Sequence, residues 1–341
     1  MERLFACLAD LNHIAYDVSA VRAGTANATA FTVVCAVAVA KFVRMTPIGN
    51  HTVTAPVKRI ISAGVEMAAF RTPRGVGIPC GSRVRAMSFG SAARSFEMVE
   101  PSRAGRSFTA RRRVRLGDAT PNGRLRLDAV ARYLQDVAND DGRDADWSDP
   151  HWWVVRRTVI DVHTFPVYLQ EVDLTTWCGG TGSHWAERRT RVTSLDGEVL
   201  VDAAALWVHV DEATLQPSRV PADISGVLAA SAGGRSIGAR LLLKPRDFDE
   251  AAASRSAWPL RFSDFDAVGH MNNAAYWEVL EEHMTTDVTG RRNIRAVVEH
   301  VIQVEPGQAL QRMSVVADGV SLQMTVGGAV HAAAWLGALV S

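Results

Sequence analysis

The chain has 341 residues, long enough for two ordinary domains, and 48% of them are hydrophobic against 21% charged, a composition typical of folded globular proteins. The net charge of +1 argues against a nucleic-acid-binding protein, which would normally be strongly basic. Four cysteines without paired spacing indicate neither a disulfide scaffold nor a zinc site, and we expect no metal and no cofactor.

The N-terminal residues 1–97 differ from the remainder in charge. They carry eleven Lys and Arg against five acids, whereas the remaining residues carry 26 basic and 31 acidic side chains. Their longest apolar run, residues 28–40, is shorter than the ~20 residues that a membrane-spanning helix needs. We therefore expect a cytoplasmic protein with an N-terminal extension over residues 1–104. This extension is either poorly ordered or, for its first part, a translated upstream region with Met87 or Met98 as the true start.

From residue 105 to 222 the pattern predicts one strand, one helix and then four strands. A strand over 108–116 is followed by turn-forming residues 117–123 and by a helix that begins near Leu127, where apolar residues recur at helical spacing. The turn Leu195-Asp196-Gly197-Glu198 is a strong hairpin signal between the last two strands. These four strands are predicted over residues 152–162, 171–179, 185–194 and 199–210.

The same order of elements returns in residues 257–341, after a connector over 223–256 that is rich in Ala, Ser and Gly. The spacing Asp118-x4-Gly123 in the first unit is repeated as Asp264-x4-Gly269 in the second, each time before a helix. The sequence therefore predicts an α+β protein built by tandem duplication of one strand–helix–sheet unit. The predicted elements of the second unit are a strand over 259–262, a helix over 273–286 and strands over 295–305, 310–317, 321–326 and 330–339.

The motifs of both units resemble one enzyme family. The second unit contains DFDAVGHMNNAAY at residues 264–276, and the first contains WVVRR at 153–157, VDLTTW at 172–177 and PSRVP at 217–221. In this order they resemble the acyl-acyl carrier protein thioesterases of plants and bacteria, over roughly residues 107–310. The resemblance implies a tandem (double) hotdog fold, in which two antiparallel sheets each wrap round a central helix.

The resemblance also implies the reaction and its residues. The activity would be hydrolysis of fatty acyl-acyl carrier protein to a free fatty acid in fatty acid biosynthesis. Asp266, the second Asp of the Asp-x-Asp pair, would be the catalytic base or nucleophile, and His270 would orient it or donate a hydrogen bond to substrate or water. Free backbone N–H groups at the helix start would face the developing negative charge. The family's later Glu-Cys pair aligns with Gln303-Val304, so a cysteine mechanism is closed, although Gln303 can position a water.

Substrate contacts are expected on both units. In the second unit they are Gly269, Met271 and Asn272, with Asn272 also a candidate helix cap, and in the first unit they are Trp153 and Leu134, in a pocket for the acyl chain. An acidic carrier protein would dock on one of three arginine clusters, at residues 111–115, 188–191 and 291–295.

Three alternatives stay open. The substrate could be an acyl-CoA, because it shares the pantetheine arm. The protein could instead bind acyl chains without turning them over, because Val268 stands where the plant enzymes have Asn. Asp266 and His270 could also do no more than close a turn. We expect a monomer or weak homodimer with no nucleic acid and no membrane partner.

Overall fold

The computed structural model describes residues 89–103, 105–147, 153–284, 293–316 and 319–339. The predicted extension up to residue 88, with its apolar run, lies outside these residues. Within them, no helix is both long enough and apolar enough to cross a membrane.

The first half follows the predicted order of one strand, one helix and four strands. A short helix, α1 (Ser91–Arg94), precedes it, and α3 (Ala222–Ser231) follows it within the predicted connector. The periodic apolar residues that predicted the helix form its buried face. The elements of this half are β1 (Ser107–Arg113), α2 (Leu127–Asp144), β2 (Trp153–Val162), β3 (Glu171–Thr181), β4 (Trp185–Ser194) and β5 (Val199–His209).

The second half repeats this order, with three departures from the predicted bounds, the first being that the strand predicted over 295–305 ends at His300. Its first strand is β6 (Ser254–Trp258) and not residues 259–262, because Pro259 has no N–H to donate to a strand ladder. Its helix is short, since the α-helical part ends at Glu281 and a single 3-10 turn follows. The elements are β6, α4 (Ala275–Glu281), β7 (Ile294–His300), β8 (Leu310–Val316), β9 (Gly319–Val326) and β10 (Ala329–Ala338).

All ten strands form one antiparallel sheet in the order β1-β3-β4-β5-β2-β7-β10-β9-β8-β6. Read from its outer edge to the centre, each half has the same order: first strand, third, fourth, fifth and second. The two halves therefore meet at β2 and β7, which pair directly with each other. This repeat confirms the predicted α+β duplication, and it shows that the two half-sheets are joined into one.

The main core lies between this sheet and helices α2 and α4. Both helices contribute apolar side chains to one continuous cluster that spans the two halves, including the fully buried Leu127 and Trp277. Because the helices also contact each other, the beginning of each helix lies close to the other half.

A second apolar cluster covers the opposite face of the sheet. Phe89 and Ala93 from the chain before β1, together with Leu243 and Phe248 from the chain before β6, pack there against buried sheet residues such as Trp335. The described part of the predicted extension, residues 89–103, is therefore in contact with the sheet. The unit boundaries at residues 104, 222 and 256 stay predictions.

A buried ion pair links the chain before β1 to the junction of β2 and β7, where the two halves meet. The Arg295 guanidinium on β7 donates two hydrogen bonds of 2.6 Å to the Asp161 carboxylate on β2. Its third nitrogen donates to the carbonyl oxygens of Ala93, Arg94 and Phe96. One arginine thus links both half-sheets and the chain that precedes them.

Candidate active site

The turn before α4 holds the predicted catalytic residues. The Asp266 N–H donates to the His270 carbonyl at 3.1 Å, and the Gly269 N–H donates to the Asp266 carbonyl at 2.9 Å. Gly269 has φ +88°, a left-handed conformation that glycine adopts without steric cost. The turn therefore brings Asp266 and His270 to adjacent positions on one short loop.

The Asp266 side chain is held by two donors. Its Oδ1 accepts from the Val268 N–H at 3.0 Å, and its Oδ2 accepts from the Asn272 amide at 3.1 Å. Asn272 also accepts from the Ala274 N–H at 2.8 Å through its own Oδ1, so it caps the turn that leads into α4. Each carboxylate oxygen keeps a further lone pair, because a carboxylate accepts about four hydrogen bonds.

The His270 side chain forms no hydrogen bond with the Asp266 side chain. The imidazole is half-buried, and its Nδ1 is buried with no hydrogen-bond partner among the described residues. The side chain that orients Asp266 in this structure is therefore Asn272. His270 keeps an unused polar atom, which is common at functional sites and costly elsewhere.

Gln303 and Met271 flank the same turn. The Met271 N–H donates to the Val304 carbonyl at 2.9 Å, and the Gln303 carbonyl is hydrogen-bonded by the His331 imidazole at 3.0 Å. The Gln303 side chain is exposed, whereas Met271 and Val304 are buried. Gln303 thus lies next to the residue that holds Met271, and Met271 packs into the core.

The first half has the same turn with different side chains. The Thr120 N–H donates to the Arg124 carbonyl at 2.8 Å, as Asp266 does to His270 in the second half. Thr120 thus takes the position of Asp266, and Arg124 that of His270. The Leu125 N–H donates to the Pro166 carbonyl as the Met271 N–H does to that of Val304, so the preceding residues, Phe165 and Gln303, also correspond. The Arg124 guanidinium lies 4.8 Å from the Phe165 ring. The repeat therefore places Gln303 on the His270 side of the turn, and it leaves the first half without an acid at the Asp266 position.

Two cavities lie in the first half and at its junction with the second. The larger, of about 520 Å³, is lined by Trp153 and by three further tryptophans. The smaller, of about 20 Å³, is lined by Leu134 and also by Asn273, which directly follows Asn272.

These two cavities are neighbours, because Arg188 and Trp207 line both of them. The small cavity, lined by Asn273, therefore lies between the end of the turn and the large cavity of the first half. Arg188 and Trp207 were not among the predicted pocket residues, since their strands carried no signal for which face meets the helix.

The only cysteine among the described residues, Cys178, lines the larger cavity and is buried. Burial raises the pKa of its thiol to about 11, so the thiol stays protonated near neutral pH and is a poor nucleophile. No group of three or more His, Cys, Asp and Glu side chains that could hold a metal ion is present in the described part of the chain.

The arginine clusters are largely neutralised within the chain. Arg111 and Arg113 pair with acids on β3, Arg188 pairs with Asp141, and Arg189 is fully buried against Glu187. Arg291 and Arg292 lie outside the described residues. Most of the arginines predicted to dock the carrier protein therefore form ion pairs within the chain.

Two family models match the chain: the acyl-ACP thioesterase N-terminal domain over residues 105–228 and the C-terminal domain over residues 249–330. An uncharacterized protein of Mycobacterium tuberculosis is 30% identical over 70% of this chain and 95% of its own length. The palmitoyl-acyl carrier protein thioesterase of Arabidopsis thaliana is 26% identical over 42% of this chain and 36% of its own length.

Solved structures show the same fold. A putative oleoyl thioesterase from Lactobacillus plantarum covers 70% of this chain and 97% of its own (TM-score 0.57, 18% identity). The 12:0-ACP thioesterase of Umbellularia californica covers 68% and 96% (TM-score 0.53, 19% identity). They confirm the predicted tandem hotdog fold. With both of its domains matched in order over more than half of its length, the chain belongs to the acyl-ACP thioesterase family, whose members hydrolyse acyl-acyl carrier protein thioesters.

Proposed function

We propose that this protein hydrolyses fatty acyl-acyl carrier protein in the cytoplasm and releases a free fatty acid in fatty acid biosynthesis. The observation that carries the proposal is the Asp266 carboxylate, which two donors hold in the turn that leads to Asn273, a lining residue of the small cavity.

In the proposed reaction, Asp266 acts as a general base. One carboxylate oxygen takes a proton from a water while the water oxygen bonds to the thioester carbonyl carbon and the carbonyl π pair moves onto oxygen. When the carbonyl re-forms, the C–S bond breaks and its electron pair leaves on sulfur. The thiolate takes up the proton that Asp266 received, so that water and thioester give acid and thiol.

The neighbouring residues assist this step. Asn272 keeps the Asp266 carboxylate in one orientation, which reduces the reorganisation needed on the way to the transition state. His270 donates a hydrogen bond to the water or to the leaving sulfur. Gln303, on the same side of the turn, positions the water through its amide.

The acyl chain extends from the turn into the first half. Leu134 lines the small cavity next to Asn273, and Trp153 lines the large one. Four tryptophans around the large cavity provide extended apolar walls. Because Arg188 and Trp207 line both cavities, this arrangement supports the proposal that the second half carries the chemistry while the first half selects the chain.

The test is a panel of acyl-carrier-protein and acyl-CoA thioesters of graded chain length, assayed with the wild type and with Asp266→Asn. We expect wild-type hydrolysis with a higher kcat/KM for the carrier-protein substrates, and a loss of about 1,000-fold or more in Asp266→Asn. Asp196→Asn, in the exposed β4–β5 turn, is the matched control and should retain full activity.

Three outcomes would count against the proposal. Equal turnover by wild type and Asp266→Asn would show that Asp266 is not the base. A higher kcat/KM for acyl-CoA would assign coenzyme A as the carrier of the acyl group. Stoichiometric binding of acyl thioesters without turnover would favour the acyl-binding alternative.

A further inference from the structure

The turns before α2 and α4 are related by the internal repeat, and so are the helices that follow them. A shift of 146 positions takes Thr120 to Asp266 and Arg124 to His270, whose backbone hydrogen bonds match. The same shift takes Leu127, the first residue of α2, to Asn273. It also takes Gln135 on α2 to Glu281 on α4.

In the first half, an anionic oxygen occupies the beginning of the helix. The Glu281 carboxylate, which belongs to the second half, accepts from the Leu127 N–H at 2.9 Å and from the Arg124 guanidinium at 2.5 Å. Both side chains are buried. The repeat unit therefore binds a negatively charged oxygen at this backbone N–H, using a side chain that reaches over from the other half.

In the second half, the corresponding backbone N–H has no hydrogen-bond partner among the described residues. The Asn273 N–H forms no hydrogen bond with any described residue, and neither does the Gln135 amide. Both residues line the small cavity of about 20 Å³, which has room for about one water-sized group. Gln135 thus lies beside Asn273, where the repeat predicts it.

We propose that Gln135 is a catalytic residue that the first half supplies to the site: its amide Nε2 donates to the thioester carbonyl oxygen together with the Asn273 N–H. This inference rests on the proposed thioester hydrolysis. When water adds to the carbonyl carbon, the electron pair moves onto this oxygen, and both hydrogen bonds become stronger as the charge develops. A glutamate at position 135 would instead take the Asn273 N–H, as Glu281 takes that of Leu127, and would repel the oxyanion.

The first test is steady-state kinetics of Gln135→Leu and Gln135→Glu. Removal of one oxyanion donor typically lowers kcat by about 100-fold to 1,000-fold, so we expect that loss in both variants, with KM changed less than about threefold. Asp136→Asn is the matched control, because Asp136 is the next residue of α2 and is exposed. The thermal midpoints of all variants should match the wild type, since Gln135 has no partner in the described structure.

The second test does not need turnover. A trifluoromethyl ketone analogue of acyl-pantetheine adds water to form a tetrahedral hydrate, which places an oxygen where the oxyanion forms, and the corresponding thioether presents no oxygen. By calorimetry, the wild type should prefer the ketone, and Gln135→Leu should lose about tenfold or more of that preference. Wild-type kcat in Gln135→Leu, or an unchanged preference for the ketone, would overturn the role of Gln135 while leaving Asp266 as the base. A wild type that hydrolyses no thioester but shows the Gln135-dependent preference would overturn the proposed function alone.

Discussion

The buried ion pair between Arg124 and Glu281 allows a direct test of how the two halves are held together. The pair links the turn before α2 to the end of α4, residues 157 positions apart in the chain. Its side chains are only 8% and 11% exposed. We expect Glu281→Ala to be among the most destabilising single substitutions in the described structure.

The size of the effect follows from what the substitution leaves behind. It leaves the Arg124 guanidinium in the interior without its carboxylate, and removal of one partner of a buried ion pair costs about 3–5 kcal/mol. The Leu127 N–H also loses its acceptor, a loss that overlaps with the first. We therefore expect the free energy of unfolding to fall by about 3–5 kcal/mol, and by less in Glu281→Gln, which keeps an oxygen for Leu127.

The assay is equilibrium unfolding in urea, followed by tryptophan fluorescence, with the m-value checked for constancy. Glu278→Ala is the matched control, because Glu278 lies three residues earlier on α4 and pairs with the half-exposed Arg261. An exposed pair contributes about 0–1 kcal/mol. Two results would refute the reasoning. One is a loss below about 1 kcal/mol in Glu281→Ala. The other is a loss on Glu281→Ala that is equally large in the Arg124→Met background, where no guanidinium is left unpaired.

Three further predictions concern the pH dependence of stability, the ion pair at the β2–β7 junction and the large cavity. Burial lowers the pKa of His300 to about 4, so between pH 6.5 and 4 the unfolded chain binds a proton that the folded chain does not. The free energy of unfolding should therefore fall by about 2–3 kcal/mol over this range. In urea titrations, His300→Val, which introduces the residue that the first half has at the corresponding position 162, should not show this loss. Arg295→Met should lower the free energy of unfolding by about 3–5 kcal/mol, because it leaves the Asp161 carboxylate unpaired. Limited proteolysis before β1 should also become faster. An unchanged cleavage rate would show that Arg295 does not hold this segment against the sheet. Ala186→Phe, which fills part of the large cavity, should shift the kcat/KM ratio about tenfold towards shorter acyl chains, and an unchanged profile in the chain-length panel would place the acyl chain elsewhere.

Much of this fold was predictable because its helices, strands and turns follow from residues that are close together in the sequence. The hairpin at residues 195–198 joins β4 and β5 as expected, and the apolar spacing from Leu127 onward marks the buried face of α2. The turn residues Asp266 and His270 were identified through a motif whose spacing is local as well. Local spacing is visible in one sequence because each residue's neighbours lie within a few positions of it.

The contacts between the halves were not predictable in the same way. Glu281 pairs with a residue 157 positions away, and nothing in its neighbourhood states where that partner lies. A signal was present, however: Glu281 occupies the apolar face of α4 defined by Trp277, Leu280 and Met284. A charged residue on such a face requires a partner, because burial of an unpaired charge is costly.

The difference between the halves also explains why one site is free and the other is filled. An arginine at position 124 is buried, and the buried cation requires an anion, which Glu281 supplies at the beginning of α2. The histidine at the matching position 270 can be neutral, so it requires no such partner. Gln135, which matches Glu281 in the repeat, is correspondingly uncharged, and the Asn273 N–H has no acceptor among the described residues. One arginine-to-histidine difference is thus coupled to a glutamate-to-glutamine difference in the other half. This coupling predicts that neither exchange alone would convert one half into the other.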